Sequence, residues 1–365
     1  MKILTFSLLI ILTISLFGFI NAQSTLRAVS MLTRHGDRSP AEDYPTDPYA
    51  GYKWPGGPGA LSPKGVRELF RSGLIKASRY SPLFAENCGV GSCTLSLDNI
   101  YVQSSSIVRC IESAISFLDA FVGIEWPKDL MNVPPAEEDE ILVYPGKPCP
   151  KYDTDFNVDI NSPEFAKVVD FQSDEGQQLI AYIESSTGMD IGSAIVTVTD
   201  ATLIQLANGL AIPAWAESVY DKYLVPLTDV FFDIFSKSDI MTIRSGRLLK
   251  DMIDRLEGFV FGTSAQNIIF YSAHDLTVSG LVQLLEIKDQ TEARPSYGAM
   301  LHLELHENAE IADDLEVKIF YYLYYGDDNP IDIQIPNCAA PCPFNQFKET
   351  VQSKLVSNYD EVCSE

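Results

Sequence analysis

Only four histidines occur in the chain, and two of them stand next to residues that could handle a phosphoryl group. His35 lies inside Arg34-His35-Gly36-Asp37-Arg38-Ser39-Pro40, which sets an imidazole between two guanidiniums. The forked N–H donors of arginine match phosphoryl oxygens, and a neutral imidazole is a nucleophile. Gly36 lets backbone N–H groups approach a bound group closely. The pair His274-Asp275 supplies what that half lacks. An oxygen leaving phosphorus needs a proton, and a carboxyl beside a dianion has its pKa raised and can carry one. His35 then reads as the nucleophile, Asp275 as acid and later base, and Arg34, Arg38 and His274 as donors to the phosphoryl oxygens.

The surrounding elements must bring these two segments together. Leu26 to Thr33 is an apolar run of strand length that ends at Arg34, and Asn267 to Ser272 is another that ends at Ala273-His274. Both histidines therefore leave the carboxyl ends of apolar strands, where open α/β sheets bind their ligands. Asp43 to Gly59 is dense in Pro and Gly and reads as an extended loop. Ser62-Pro63 opens a helix reaching Tyr80, with Ser62 as N-cap. A strand at Ile100 to Val102 runs into Ser104-Ser105-Ser106, which can cap a helix with the apolar stripe Ile107, Cys110, Ile111, Ala114, Phe117, Leu118, Phe121. Helical spacing dominates from Phe165 to Phe235, Thr202 to Ile212 reads as helical core, and a further helix spans Gly246 to Glu257. Strands follow at Leu301 to Leu305 and Val317 to Tyr325. The fold class expected is α/β: a mixed, mainly parallel sheet flanked by helices, formed by residues 23–130 and 240–365, with a smaller α-helical domain inserted at residues 131–239.

Composition bounds the setting. Met1 to Ala22 carries one early cation, Lys2, and an apolar run from Ile3 to Ile20, the pattern of a cleaved signal peptide. The expected localisation is extracellular, or an acidic, lysosome-like compartment, because the net charge of −24 at neutral pH moderates as carboxylates protonate. The same charge argues against nucleic acid or an anionic membrane as partner, since both need a basic face. Seven cysteines in an exported chain suggest disulfides. Cys88–Cys93 and Cys338–Cys342 flank short turns, Cys149 and Cys363 remain as a long-range pair, and Cys110 on its helical stripe reads as a buried thiol. No Asn-x-Ser/Thr sequon occurs. His302, Glu304 and His306 share one strand face, which a half-solvated strand explains better than a metal site. No metal or other cofactor is expected.

At this point the chain strongly resembles the histidine acid phosphatases, in particular the group with the prostatic and lysosomal enzymes. The resemblance rests on RHGDRSP at Arg34 to Pro40 and YSAHDLTVSGL at Tyr271 to Leu281, supported by TDP at Thr46 to Pro48, LSPKG at Leu61 to Gly65 and NCAAPCP at Asn337 to Pro343. It implies hydrolysis of small phosphomonoesters through phosphohistidine on His35, phosphate binding by Arg34, Arg38 and His274, proton donation by Asp275, and a helical domain over the site. It also implies a homodimer in some relatives. One departure stands out, because the family pattern after the second strand, Arg-Ser-Thr-Asp, here reads Gln103-Ser104-Ser105-Ser106. Gln103 is read as a degenerate phosphate-binding position, and Arg109, six residues on, as too far away to serve the same phosphate. An impaired relative that binds phosphorylated ligands is the alternative reading, and a phytase lies within the same chemistry.

Overall fold

The computed structural model describes residues 25–84, 96–152, 158–292, 294–311 and 314–364. The strands are β1 (Leu26–Arg34), β2 (Ile100–Ser104), β3 (Met131–Asn132), β4 (Ile268–Ala273), β5 (Met300–Glu307), β6 (Leu315–Tyr322) and β7 (Ile331–Ile333). They form one mixed sheet in the order β3-β2-β4-β1-β5-β6-β7. The half from β3 to β1 is parallel, and β5, β6 and β7 continue it antiparallel. Parallel neighbours require crossover connections, and helices supply them.

Those helices are α1 (Pro63–Tyr80), α2 (Val108–Phe121), α3 (Pro163–Ala166), α4 (Asp174–Thr187), α5 (Ile191–Ala207), α6 (Val225–Phe235), α7 (Asp239–Val260), α8 (Asp275–Leu284), α9 (Phe344–Val351) and α10 (Tyr359–Cys363). On one sheet face Val29, Met31 and Phe270 pack with Leu69 of α1 and Phe117 of α2. On the other, Leu32 and Tyr271 pack with Leu249 of α7, Leu281 of α8 and Phe347 of α9. With both faces covered, every residue of β4 is buried, which is why its sequence opens on the unbroken run Ile268 to Tyr271 instead of alternating, and the buried Ser272 hydroxyl donates to the Cys110 carbonyl. A third cluster joins α3, α4, α5 and α6 through Phe165, Ile183, Val198 and Phe231, and takes in Tyr44, Leu276 and Tyr359. The Cys149–Cys363 disulfide ties the tail to this cluster and Cys338–Cys342 closes a short loop, while Cys110 is buried and unpaired. Residues 1–22 and the Cys88–Cys93 pairing lie outside the described residues. Among the described residues no helix is long and apolar enough to cross a membrane.

Several local expectations need correction. α2 follows Ile107 with no side-chain cap, so the serines do other work: Ser104 bonds the Ser105 carbonyl and Ser105 bonds His274. α5 stops at Ala207, because Gly209 takes φ +77°, and the helical reading through Ile212 ends there. α7 starts at Asp239, earlier than Gly246, with Ser238 as cap. β6 ends at Tyr322, since the Leu323 N–H donates to the Asp327 carboxylate and the chain turns. His302 and Glu304 are fully buried and not half-solvated. Glu304 accepts from Arg79, Tyr80 and His306, so hydrogen bonds satisfy the charge that burial would otherwise penalise.

Candidate active site

Strand register assembles the site. Arg34 of β1 pairs with Ala273 of β4, and Ser104 of β2 with Ser272, so three strands end side by side. His35, His274 and Ser105 are the next residues of their chains and emerge as neighbours; the two imidazole centroids lie 5.7 Å apart, edge to face. The turn after β1 is held against α1 by a close approach that only glycine permits. A Cβ on Gly36 would meet Leu69 Cδ2 at 2.5 Å, and one on Gly65 would meet the Asp37 carbonyl at 2.2 Å. The Gly36 N–H itself donates to Ser113 Oγ. Asp37 braces the same turn by accepting from Ser62 Oγ, and Ser62 in turn caps α1.

His35 is buried, and its Nδ1 lies 2.9 Å from the Gly36 carbonyl oxygen. A carbonyl can only accept, so the proton sits on Nδ1 and the lone pair on Nε2. Burial, and then Arg34, Arg109 and Arg38, hold the His35 pKa well below the ordinary value, which keeps the ring neutral in acid. His274 is pushed down to about 3 by burial and by Arg109, against a smaller opposing pull from Asp275. Its Nε2 meets Ser105 Oγ at 3.0 Å.

The arginines around His35 are paired only in part. Arg34 donates to the Pro295 carbonyl at 2.6 Å, meets Asp275 at 2.8 Å and lies over the Tyr297 ring. Arg38 is held by Asp200 of α5. Yet the Nε–H groups of Arg34, Arg38 and Arg109 are all buried without a partner. Buried donors left open cost about 1–3 kcal/mol each, more for charged groups, and three of them around one imidazole constitute a seat for an anion. For Asp275 burial pushes the pKa up, but Arg34, Arg38 and His274 outweigh it and hold the carboxyl below its ordinary range. An anion that draws off the arginines reverses that balance.

The expected residues His35, Arg34, Arg38, His274 and Asp275 thus come together. Gln103 does not join them. Its amide oxygen accepts from the Tyr101 hydroxyl at 2.6 Å, and the Tyr101 ring packs against Tyr271 and lies 3.3 Å from the Arg255 guanidinium of α7. Side chains alternate along a strand, so Gln103 shares the face that α7 covers. Arg109, read as too far away to serve the same phosphate, lies near both histidines. It stands in the first turn of α2, just past the carboxyl end of β2, and is one of the leading charges acting on both His35 and His274. That helix start mirrors His274 at the start of α8, a positional signal the sequence carried. Asp200 and Tyr297 gave no such signal; they reach the site from a distant helix and a loop.

Arg34, Arg38, Asp275 and Tyr297 of this group line the floor of a cleft of about 540 Å³ between the sheet ends, the loop after β1, and α5 and α6. A buried neutral imidazole, guanidiniums that keep open Nε–H donors and a neighbouring carboxyl are groups able to handle a phosphoryl group. The model of the histidine phosphatase superfamily (branch 2) matches residues 25–322, and the chain belongs to that superfamily; it is an enzyme of the phosphatase class. Human lysosomal acid phosphatase is 26% identical over 355 residues, covering 93% of this chain and 80% of the relative. Human prostatic acid phosphatase is 25% identical over 357 residues, covering 93% and 88%. Among solved structures, a Hafnia alvei phytase with tartrate superposes at TM-score 0.63 with 17% identity, covering 94% of this chain and 99% of that one. A Citrobacter braakii phytase superposes at 0.64 with 14% identity, covering 93% and 99%. At these identities the two phytases bear on the fold alone.

Proposed function

We propose that the protein is an exported acid phosphatase that hydrolyses small phosphomonoesters through phosphohistidine on His35, outside the cell or in a lysosome-like compartment. The observation that carries this reading is the His35 tautomer: Nδ1 is committed to Gly36, and Nε2 is left as a lone pair among three guanidiniums with open Nε–H donors. In the first half-reaction Nε2 attacks phosphorus, and the ester oxygen leaves with the proton of Asp275. Arg34, Arg38, Arg109 and His274 hold the equatorial oxygens and stabilise their charge. In the second, a water attacks phosphorus while the Asp275 carboxylate takes its proton, and the N–P bond breaks to return neutral His35.

Binding of the dianion is what arms Asp275. The substrate competes for Arg34, and its charge lifts the carboxyl pKa from the depressed range in which the arginines hold it. The low histidine pKa values favour operation in acid, because His35 stays nucleophilic where an ordinary imidazole is protonated. The reading of an impaired, merely ligand-binding relative rested on Gln103, and Arg109 supplies the guanidinium that Gln103 lacks. The test is a rapid alkaline quench of the protein turning over a labelled aryl phosphate, followed by peptide mapping. Label on the peptide containing His35, absent in His35→Ala, is expected. Turnover without such label overturns the mechanism.

A further inference from the structure

The upper wall of the cleft carries charge of the opposite sign to its floor. Glu42, Asp200, Asp229 and Glu292 line it, Asp200 being paired with Arg38 of the floor, and among the described residues Arg294 is the one cation of this wall. Arg294 is already held by Asp229 at 2.6 Å. Lys288 is not among the lining residues; its ammonium donates to the backbone carbonyl of Glu292, and Asp229 and Glu292 are among the charges that act on it. Between the carboxylates the wall is apolar and aromatic, with Leu203, Phe231 and Phe232. The phosphate end of any ligand is fixed independently, by the unpartnered Nε–H groups of Arg34 and Arg38, which are each 9% exposed.

A phosphomonoester seated on that floor must point its alcohol at this wall. A second phosphate on the alcohol would face Glu42 and Glu292, beside the ion-paired Asp200 and Asp229, in a partly desolvated cleft where like charges repel several times more strongly than in water. A positive group there meets both carboxylates and aromatic faces, the two environments that recognise ammonium ions. Resting on the phosphatase reading above, we infer that the enzyme selects monophosphate esters of alcohols that carry a positive charge, and rejects polyphosphorylated ones. The carboxylate wall is the selecting element.

The test compares phosphocholine with 3,3-dimethylbutyl phosphate, which has the same shape without the charge, at about pH 6 and low ionic strength. kcat/KM for the cationic ester is expected to be roughly fivefold to tenfold higher. Salt at about 0.5 M should erode the preference, since exposed charges are screened over a few ångströms at that strength. Glu42 is exposed at the rim, so Glu42→Lys preserves the fold, and it should lower the ratio. Arg294→Gln, which frees Asp229, should raise it. myo-Inositol hexakisphosphate should be the poorest of the substrates. Equal rates for the two isosteres, or a preference for the neutral one, overturns the inference while leaving the phosphatase reading intact. Should neither ester nor an aryl phosphate be hydrolysed, the phosphatase reading fails. The ratio of Kd values for the two isosteres then still decides the charge preference.

Discussion

Arg38 directs both terminal nitrogens at Asp200, at 2.9 and 3.0 Å, although the residues are 162 positions apart. The carboxylate of α5 therefore occupies the guanidinium fork that a phosphate would use, while the Arg38 Nε–H is left open. Burial works against the Arg38 charge, and Asp200, Tyr297 and Asp275 together more than offset it. Asp200 holds the arginine in place, and competes with an anion for its fork. Asp200→Asn removes the competing charge and keeps the size. Inhibition by inorganic phosphate should tighten about tenfold, the equivalent of about 1.4 kcal/mol. An unchanged or weaker phosphate Ki speaks against competition.

The assignment of Arg109 separates two substitutions that the sequence alone would rank the other way. Arg109→Gln should lower kcat/KM about tenfold to a hundredfold, the cost of losing a charge-assisted bond to phosphate. Gln103→Arg should give no gain, because its side chain sits with Tyr101 on the α7 side of the sheet. Steady-state kinetics on one aryl phosphate decide the matter, and a Gln103→Arg variant with markedly raised activity refutes the placement.

Asp275→Asn should show its defect in proportion to the leaving group. An alkoxide cannot depart unprotonated, whereas a nitrophenolate can, so alkyl phosphates should lose about 10²- to 10⁴-fold in kcat and p-nitrophenyl phosphate far less. A uniform loss across leaving groups would instead assign Asp275 to positioning Arg34, with which it forms a 2.8 Å ion pair.

The buried histidines make stability depend on pH with a definite sign. His274 is held at about 3, and His35 and His302 well below the ordinary value, each chiefly by burial. The unfolded chain binds their protons near pH 6.5 and the folded chain resists, so their contribution to stability is intact above about pH 6.5 and drains away as pH falls toward 3. Neutralisation of acidic side chains acts the other way by relieving self-repulsion. The difference between variants isolates the histidine part. His302→Phe lies away from the cleft, and its Tm should fall less than that of the wild type between about pH 7 and pH 4. Equal falls refute the linkage.

The bridge between Cys149 and Cys363 spans 214 residues of chain. Cross-linking so long a loop restricts the unfolded state, and its loss typically costs about 2–5 kcal/mol. Cys363→Ser should lower Tm by several degrees without changing KM, since the tail packs on the helical cluster and not on the cleft. A raised KM with unchanged Tm contradicts that account.

What the sequence determined by itself was the chemistry and its strand frame. The motif around His35, the pair His274-Asp275 and the apolar runs before them are local patterns, and parallel strands with helical crossovers leave few ways to arrange them. Local spacing also marked Ser62 as a cap and Cys110 as buried. What it could not determine is which way a side chain points when the choice depends on a partner far along the chain. Gln103 and Arg109 are six positions apart, and only the packing of α2 and α7 on opposite sheet faces decides which of them reaches His35. Asp200 and Tyr297 belong to the site solely because α5 and the loop before β5 close over it. The face of His302 and Glu304, read from alternation as half-solvated, became core because Tyr80 of α1 covers it. Period and composition report what a residue prefers; the desolvation and pairing that set its role arise only when distant segments meet.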